Sequence, residues 1–189
     1  MAEQLQRKKL ENEAAIVEQA KTDDQAFAIL YEFYFPKIYG YIFKRVGNHH
    51  LAEDLVSVTF IKVFSNIKKY RFQGASFGAW VYRIATNSLT DHFRQSGRRP
   101  EADLEEHTQI MDQTPGVEAM MQSGEERELI RKLLKNLPER YQEAINLKFF
   151  AEMSYEEMAL TLELSENNAR VLVFRSLKQF QKIYEQYGK

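Results

Sequence analysis

Three groups of residues carry side chains whose types and spacing could do chemistry. The first is Tyr70, Arg71, Phe72 and Gln73, followed by Arg83, Asn87 and Arg94 at helical spacing. Aromatic rings beside cations suit single-stranded nucleic acid, because bases stack on rings while cations follow the phosphates. On the plainer reading, Tyr70, Phe72, Phe77 and Trp80 are core residues, and Phe77 and Trp80 are expected inward. Arg83, Asn87 and Arg94 are then expected on the face opposite Trp80 and Ile84.

The second group lies at the C-terminal end. Ser154 to Phe180 reads as a short helix, a three-residue turn (Glu163, Leu164, Ser165) and a longer basic helix, which is a helix-turn-helix pattern. Asn167, Asn168, Arg170, Val171, Phe174, Arg175 and Lys178 are predicted to face outward. In the major groove Asn pairs with adenine, Arg with guanine, and an apolar side chain meets a thymine methyl. Lys178 suits a phosphate, which adds affinity without sequence information. An ordinary helical hairpin with a solvated face is the alternative. In the third group, Glu53, Asp54 and Ser57 form a polar, acidic edge on a helix whose other side is apolar. That edge reads either as a protein-docking face or as acids placed to favour the helix dipole.

Other chemistry is thin. There is no Cys, hence no disulfide, thiolate metal site or Cys nucleophile. No glycine-rich phosphate loop and no nucleophile elbow occur. His49, His50, Glu53 and Asp54 cluster in sequence, yet adjacent histidines on a helix point in different directions, which disfavours a metal site or an enzyme built on it. His92 and His107 have no evident partners. No catalytic residue, metal or cofactor is expected.

The elements that must position these groups all show helical periodicity, so an all-α fold of two small helical domains is expected. A weaker amphipathic helix spans about Leu5 to Ala20, within an N-terminal extension over 1–22. Thr22 to Gln25 has the form of a capping box. Phe27, Leu30, Tyr31 and Tyr34 follow at helical spacing. Pro36 is expected to break or kink that helix or to start the next. Ile38, Tyr41, Ile42 and Val46 continue the stripe, and Gly47 supplies a stop. Leu55, Val56, Phe60, Val63, Phe64 and Ile67 are predicted inward on the next helix. Ser76 caps another, which Gly97 and Pro100 end, closing a first domain over 23–97. A linker follows over 98–123, containing Pro115 and Gly116. A second domain over 124–189 opens with a capping box, Ser123 to Glu126. Pro138 starts a further helix, and Ser154 to Glu157 is a third capping box. Ser165 caps the last helix, with Ala169, Leu172, Val173, Leu177, Phe180 and Tyr184 inward.

Composition bounds these readings. The 189 residues, 44% hydrophobic and 28% charged, match a globular chain. No stretch approaches a membrane-spanning run and the N-terminus has no apolar signal core, so a cytoplasmic chain without direct membrane insertion is expected. A formal net charge of −1 argues at first sight against a nucleic-acid partner. The total is a cancellation. Lys62, Lys68, Lys69, Arg71, Arg83, Arg94, Arg98 and Arg99 stand against Asp91 alone. Every charged residue from Pro100 to Glu126 is acidic. From Asn167 onward Arg170, Arg175, Lys178, Lys182 and Lys189 face only Glu185. Two basic segments, each on a helix with a matching motif, are the footprint of a nucleic-acid binder.

The same segments carry a family resemblance. FAILYEFYFPKIYGYIFKRVGN, LAEDLVSVTFIKVFSNIKKYRF and SFGAWVYRIATNSLTDHFR, within Phe27 to Arg94, resemble region 2 of bacterial sigma factors. LPERYQEAINLKFFAEMSYEEMALTLELSENNARVLVFRSLKQF, Leu137 to Phe180, resembles region 4. Their order, with an acidic linker between, is similar to the extracytoplasmic-function (ECF) group of the sigma-70 family. The resemblance implies a protein that binds core RNA polymerase and directs it to promoter DNA. Glu53, Asp54 and Ser57 would dock on polymerase. Tyr70, Arg71, Phe72, Gln73, Arg83, Asn87 and Arg94 would hold the minus-ten element and capture an unstacked base. Asn167, Asn168, Arg170, Val171, Phe174, Arg175 and Lys178 would read the minus-thirty-five duplex. It also implies an anti-sigma partner, which the family usually has. A polymerase-independent, operator-binding regulator is the alternative from another class.

Overall fold

The computed structural model describes residue 10 and residues 12–72, 76–96 and 124–187, with the backbone alone described at 96, 124–128 and 131. Every regular element among these residues is helical. Two compact units are present, Met1–Asp112 and Gln113–Lys189. The expected linker and the Ser123–Glu126 capping box lie outside the described residues or their side chains, as do Gln73 and most of the stretch before Glu13.

The first unit packs α1 (Glu13–Gln19), α2 (Asp24–Val46), α3 (His49–Asn66) and α4 (Phe77–Ser96), with a 3-10 turn at Ile67–Lys69. α1 begins after Leu10 and Asn12, which stand outside any helix, and it packs on α2 and α4, with Val17 and Ala20 buried. Asp23, not Thr22, caps α2 by accepting from the Gln25 amide at 2.9 Å. The Thr22 hydroxyl instead turns back to the Gln19 carbonyl.

The largest departure from expectation is Pro36, which sits inside one continuous helix. Proline removes a donor and crowds the carbonyl four residues earlier. Here Glu32 and Pro36 are both exposed, so that carbonyl can meet water. Tyr34 and Ile38, buried on either side, hold the helix through the break. Burying a large apolar side chain is worth roughly 1.5–3 kcal/mol, and Leu30, Ile38 and Ile42 are each at most 1% exposed. Tertiary burial therefore outweighs the local penalty. Gly47 ends α2 in the left-handed region (φ 67°), as its position predicted. Asn48 caps α3 through its side chain.

The second unit comprises α5 (Gly124–Lys135), α6 (Glu139–Ile145) running into a π-helical turn at Asn146–Phe150, α7 (Tyr155–Leu162) and α8 (Glu166–Tyr187). α6 and α7 pack across α8. Leu133, Leu137, Ala144, Leu147, Met158, Ala169 and Val173 form its core. The Ser154–Glu157 capping box is complete in both directions. Ser165 caps α8 by accepting from the Asn168 amide at 3.2 Å. Leu177 and Tyr184 are exposed rather than inward, and Ser176, bonded to the Leu172 carbonyl, takes the buried position instead.

Candidate nucleic-acid interface

In the first unit, α3 supplies Lys62 and Asn66, the turn after it Lys69 and Tyr70, and α4 supplies Trp80, Ile84, Asn87 and Asp91. Together they line an open groove of about 440 Å³. This overturns one expectation. Trp80 and Ile84 are only half-buried and share a face with Asn87, whereas the buried side of α4 is formed by Phe77, Val81, Ala85 and Leu89. At 100° per residue, positions 80, 84, 87 and 91 fall in one sector, and 83 and 94 border it on the side of Asn87. Trp80 is thus a wall of the groove that sequence reasoning placed in the core. The helical wheel held the signal, but the residue's type outweighed it.

The rings at the groove are mutually braced. Tyr70 lies 5.0 Å from Trp80 and 5.3 Å from Phe77, edge-on to the latter, and Phe77 lies 5.4 Å from Trp80. Such edge and tilted pairs add stability beyond their buried area. Burial raises the Tyr70 hydroxyl above its ordinary pKa, with smaller contributions from the Glu13 and Glu18 carboxylates. Polar groups on the walls are tied down as well. Lys62 donates to the Ser88 hydroxyl at 3.0 Å, and Asn66 donates to the Lys62 carbonyl. Arg94 pairs with Asp91 at 3.0 Å. Arg71 folds back onto the carbonyls of Lys68 and Tyr70. Phe72, 74% exposed, projects beyond them. Asn87 is exposed and Arg83 half-buried. Rings, a primary amide and cations in one concavity can stack a base, read its edge and approach its phosphates.

On the other side of α3, Glu53, Asp54 and Ser57 are exposed as expected. The unexpected feature is the apolar stripe that continues from them: Val58, Ile61 and Phe64 are 42%, 65% and 50% exposed. Phe64 was expected inward, but it rests edge-on against Phe27 at the surface. A contiguous apolar patch rimmed by acids fits a protein partner. The His49 ring is taken up by the Tyr39 hydroxyl at 2.6 Å and by the Phe43 ring, and His50 lies 4.0 Å from Glu53. Among the described residues no metal-holding cluster forms.

In the second unit Asn167, Asn168, Arg170, Val171, Phe174, Arg175 and Lys178 are all exposed on α8. Asn168, Val171 and Arg175 also border a shallow groove with Arg140 and Tyr141 of α6. Arg170 pairs with Glu166 and lies 4.6 Å from the Tyr155 ring, over which Lys148 also sits at 4.4 Å. The Tyr155 ring restrains two cations and escaped the sequence reading, since nothing in the spacing links α7 to Lys148. The turn before α8 places Glu163 at φ 55° and ψ 46°, left-handed, with Leu164 donating to the Ala159 carbonyl.

Comparison with known proteins converges on one family. Residues 30–99 match the model of sigma-70 region 2, and residues 127–180 match that of sigma-70 region 4. The ECF RNA polymerase sigma factor BldN of Streptomyces coelicolor is 30% identical over 86% of this chain, which spans 62% of that relative's length. The ECF RNA polymerase sigma-E factor of Haemophilus influenzae is 31% identical, with 93% of this chain and 94% of the relative covered. Among solved structures, the sigma factor RpoE of Bartonella quintana, in complex with the anti-sigma factor NepR, superposes with a TM-score of 0.66 at 21% identity, covering 84% of this chain and 96% of that one.

Proposed function

The chain belongs to the ECF group of sigma-70 factors, and we propose that it binds core RNA polymerase and directs it to promoters. The observation that carries this reading is the pairing of two different DNA-facing surfaces. One is the groove of Tyr70, Trp80 and Asn87, suited to an unstacked base. The other is the exposed helix-turn-helix face, suited to duplex. The first unit would open and hold the minus-ten element through Tyr70, Arg71, Phe72, Gln73, Arg83, Asn87 and Arg94. The second would read the minus-thirty-five element through Asn167, Asn168, Arg170, Val171, Phe174, Arg175 and Lys178. Glu53, Asp54 and Ser57, with the Val58, Ile61 and Phe64 stripe, would dock on polymerase. Polymerase supplies the phosphodiester chemistry, so the chain needs none of its own and works where polymerase works, in the cytoplasm. The Bartonella relative's complex supports an anti-sigma partner here too. No helix among the described residues is long and apolar enough to cross a membrane.

The test is run-off transcription by purified core polymerase and this chain on a promoter library. A specific set of start sites is expected, and failure to bind core polymerase would sink the proposal. Asn87→Ala and Arg83→Ala should impair promoter opening more than polymerase binding. Tight, palindrome-specific duplex binding without polymerase would favour an operator-binding regulator instead.

A further inference from the structure

A chain of side chains runs from the N-terminal helix to the floor of the groove. The Tyr34 hydroxyl of α2 donates to a Glu13 carboxylate oxygen on α1. The Tyr34 ring, itself buried, lies 5.7 Å from Phe77 and edge-on to it. Phe77 in turn carries Tyr70 and Trp80. Two backbone features make room for this relay. Asn12 enters α1 from the left-handed region (φ 60°), which Asn tolerates, and so sets where Glu13 points. Gly78 lies directly beneath Tyr34, where a Cβ would stand 2.9 Å from the hydroxyl and 3.0 Å from the ring edge. α1 also packs against α4, which carries Trp80, and the Glu13 and Glu18 carboxylates add to the upward shift of the Tyr70 hydroxyl.

We propose that Glu13 and Tyr34 are positioning residues for the minus-ten groove, fixing through Phe77 the angle at which Tyr70 and Trp80 meet a captured base. This rests on the base-capture reading above. It gives the N-terminal helix a role in DNA capture, although none of its residues lines the groove. Phe77 is too buried to touch a base, so it can only transmit the position of Tyr34.

The test uses the full chain assembled with core polymerase and a single-stranded minus-ten oligonucleotide carrying a fluorescent base analogue. Tyr34→Phe removes the hydroxyl alone, and Gly78→Ala displaces it. Each should weaken capture on the order of tenfold, the loss of part of one base-stacking contact, with core binding unchanged. Glu13→Ala should behave alike, while Glu13→Gln, which keeps an acceptor oxygen, should restore capture. Trp80 is the sole tryptophan, so its emission in the free chain should shift in Tyr34→Phe and Gly78→Ala but not in Glu13→Gln. Parental capture by Tyr34→Phe, or a loss matched by an equal loss of core binding, would overturn the inference. If the parent complex fails to bind the oligonucleotide, the base-capture reading falls. Unchanged Trp80 emission in both Tyr34→Phe and Gly78→Ala overturns the relay in any case.

Discussion

The two units present the residues proposed to face DNA in different settings. In the first, a concave groove is walled by rings that brace one another, and its Lys62 and Asn66 are hydrogen-bonded in place. In the second, the corresponding side chains stand exposed along α8, where Arg170 is held by Glu166 and the Tyr155 ring. The physical demands differ. An unstacked base gives up its neighbours in the helix and must recover that energy against ring faces in a partly dry pocket. A duplex keeps its stacking and offers base edges along a groove about 12 Å wide, which a protruding helix enters. Under the proposed roles, preorganisation belongs in the first unit and reach in the second.

Replacing Trp80 by Ala is the sharpest way to break this contrast. The substitution removes a wall of the groove and should cost about 3 kcal/mol of single-strand affinity in the polymerase complex, the upper range for a base–aromatic contact. Affinity for a minus-thirty-five duplex should stay as it was. Fluorescence titrations with the two DNAs would measure both, and equal losses would show that the units do not divide the work.

The same contrast explains what could be seen in the sequence. The second unit was legible in its caps and in the exposed side of α8, because those determinants are local, although Leu177 and Tyr184 turn outward against expectation. Ser154 and Glu157 close a capping box three residues apart, Ser165 caps α8, and the outward face follows from 3.6-residue periodicity. The first unit was legible in its elements but not in its site. Pro36 read as a break because the burial of Tyr34 and Ile38 is a tertiary fact. Trp80 and Phe64 read as core because large apolar residues usually are, whereas here both are partly exposed. A groove formed by three elements leaves no local pattern. Neither does the ring relay from Glu13 to Tyr70, whose members are spread over most of the unit.

Within the second unit, exposure should separate affinity from specificity. Arg175→Ala should cost about 2 kcal/mol on the preferred duplex if the guanidinium pairs with a guanine edge, and little on random duplex. Lys178→Ala should weaken both duplexes alike and reduce the slope of log affinity against log salt by about 1, the signature of a lost phosphate contact. Salt titrations on matched and random duplexes would resolve the two. A uniform loss for Arg175→Ala would move it to the backbone-contacting class.

The smallest expected effects lie in the turns, where the two units solve one problem with different residues. α2 and α7 both end on a left-handed residue, Gly47 at φ 67° and Glu163 at φ 55°. An L side chain there carries strain of about 1 kcal/mol. Glycine avoids the strain but loses roughly 0.5 kcal/mol through the extra freedom of its unfolded state. Glu163→Gly should therefore stabilise the second unit by about 0.5 kcal/mol. The reciprocal Gly47→Ala should destabilise the first by a similar net amount, about 0.5 kcal/mol, because the added Cβ meets open space and the backbone strain is offset only by the glycine's lost unfolded-state freedom. Thermal melts of each variant of the full chain would measure these small, opposite shifts. A much larger loss for Gly47→Ala would mean that the entry to α3, and with it the placement of Lys62 and Asn66 in the groove, depends on that turn. That outcome would extend the contrast in preorganisation from the groove walls to the connections that carry them.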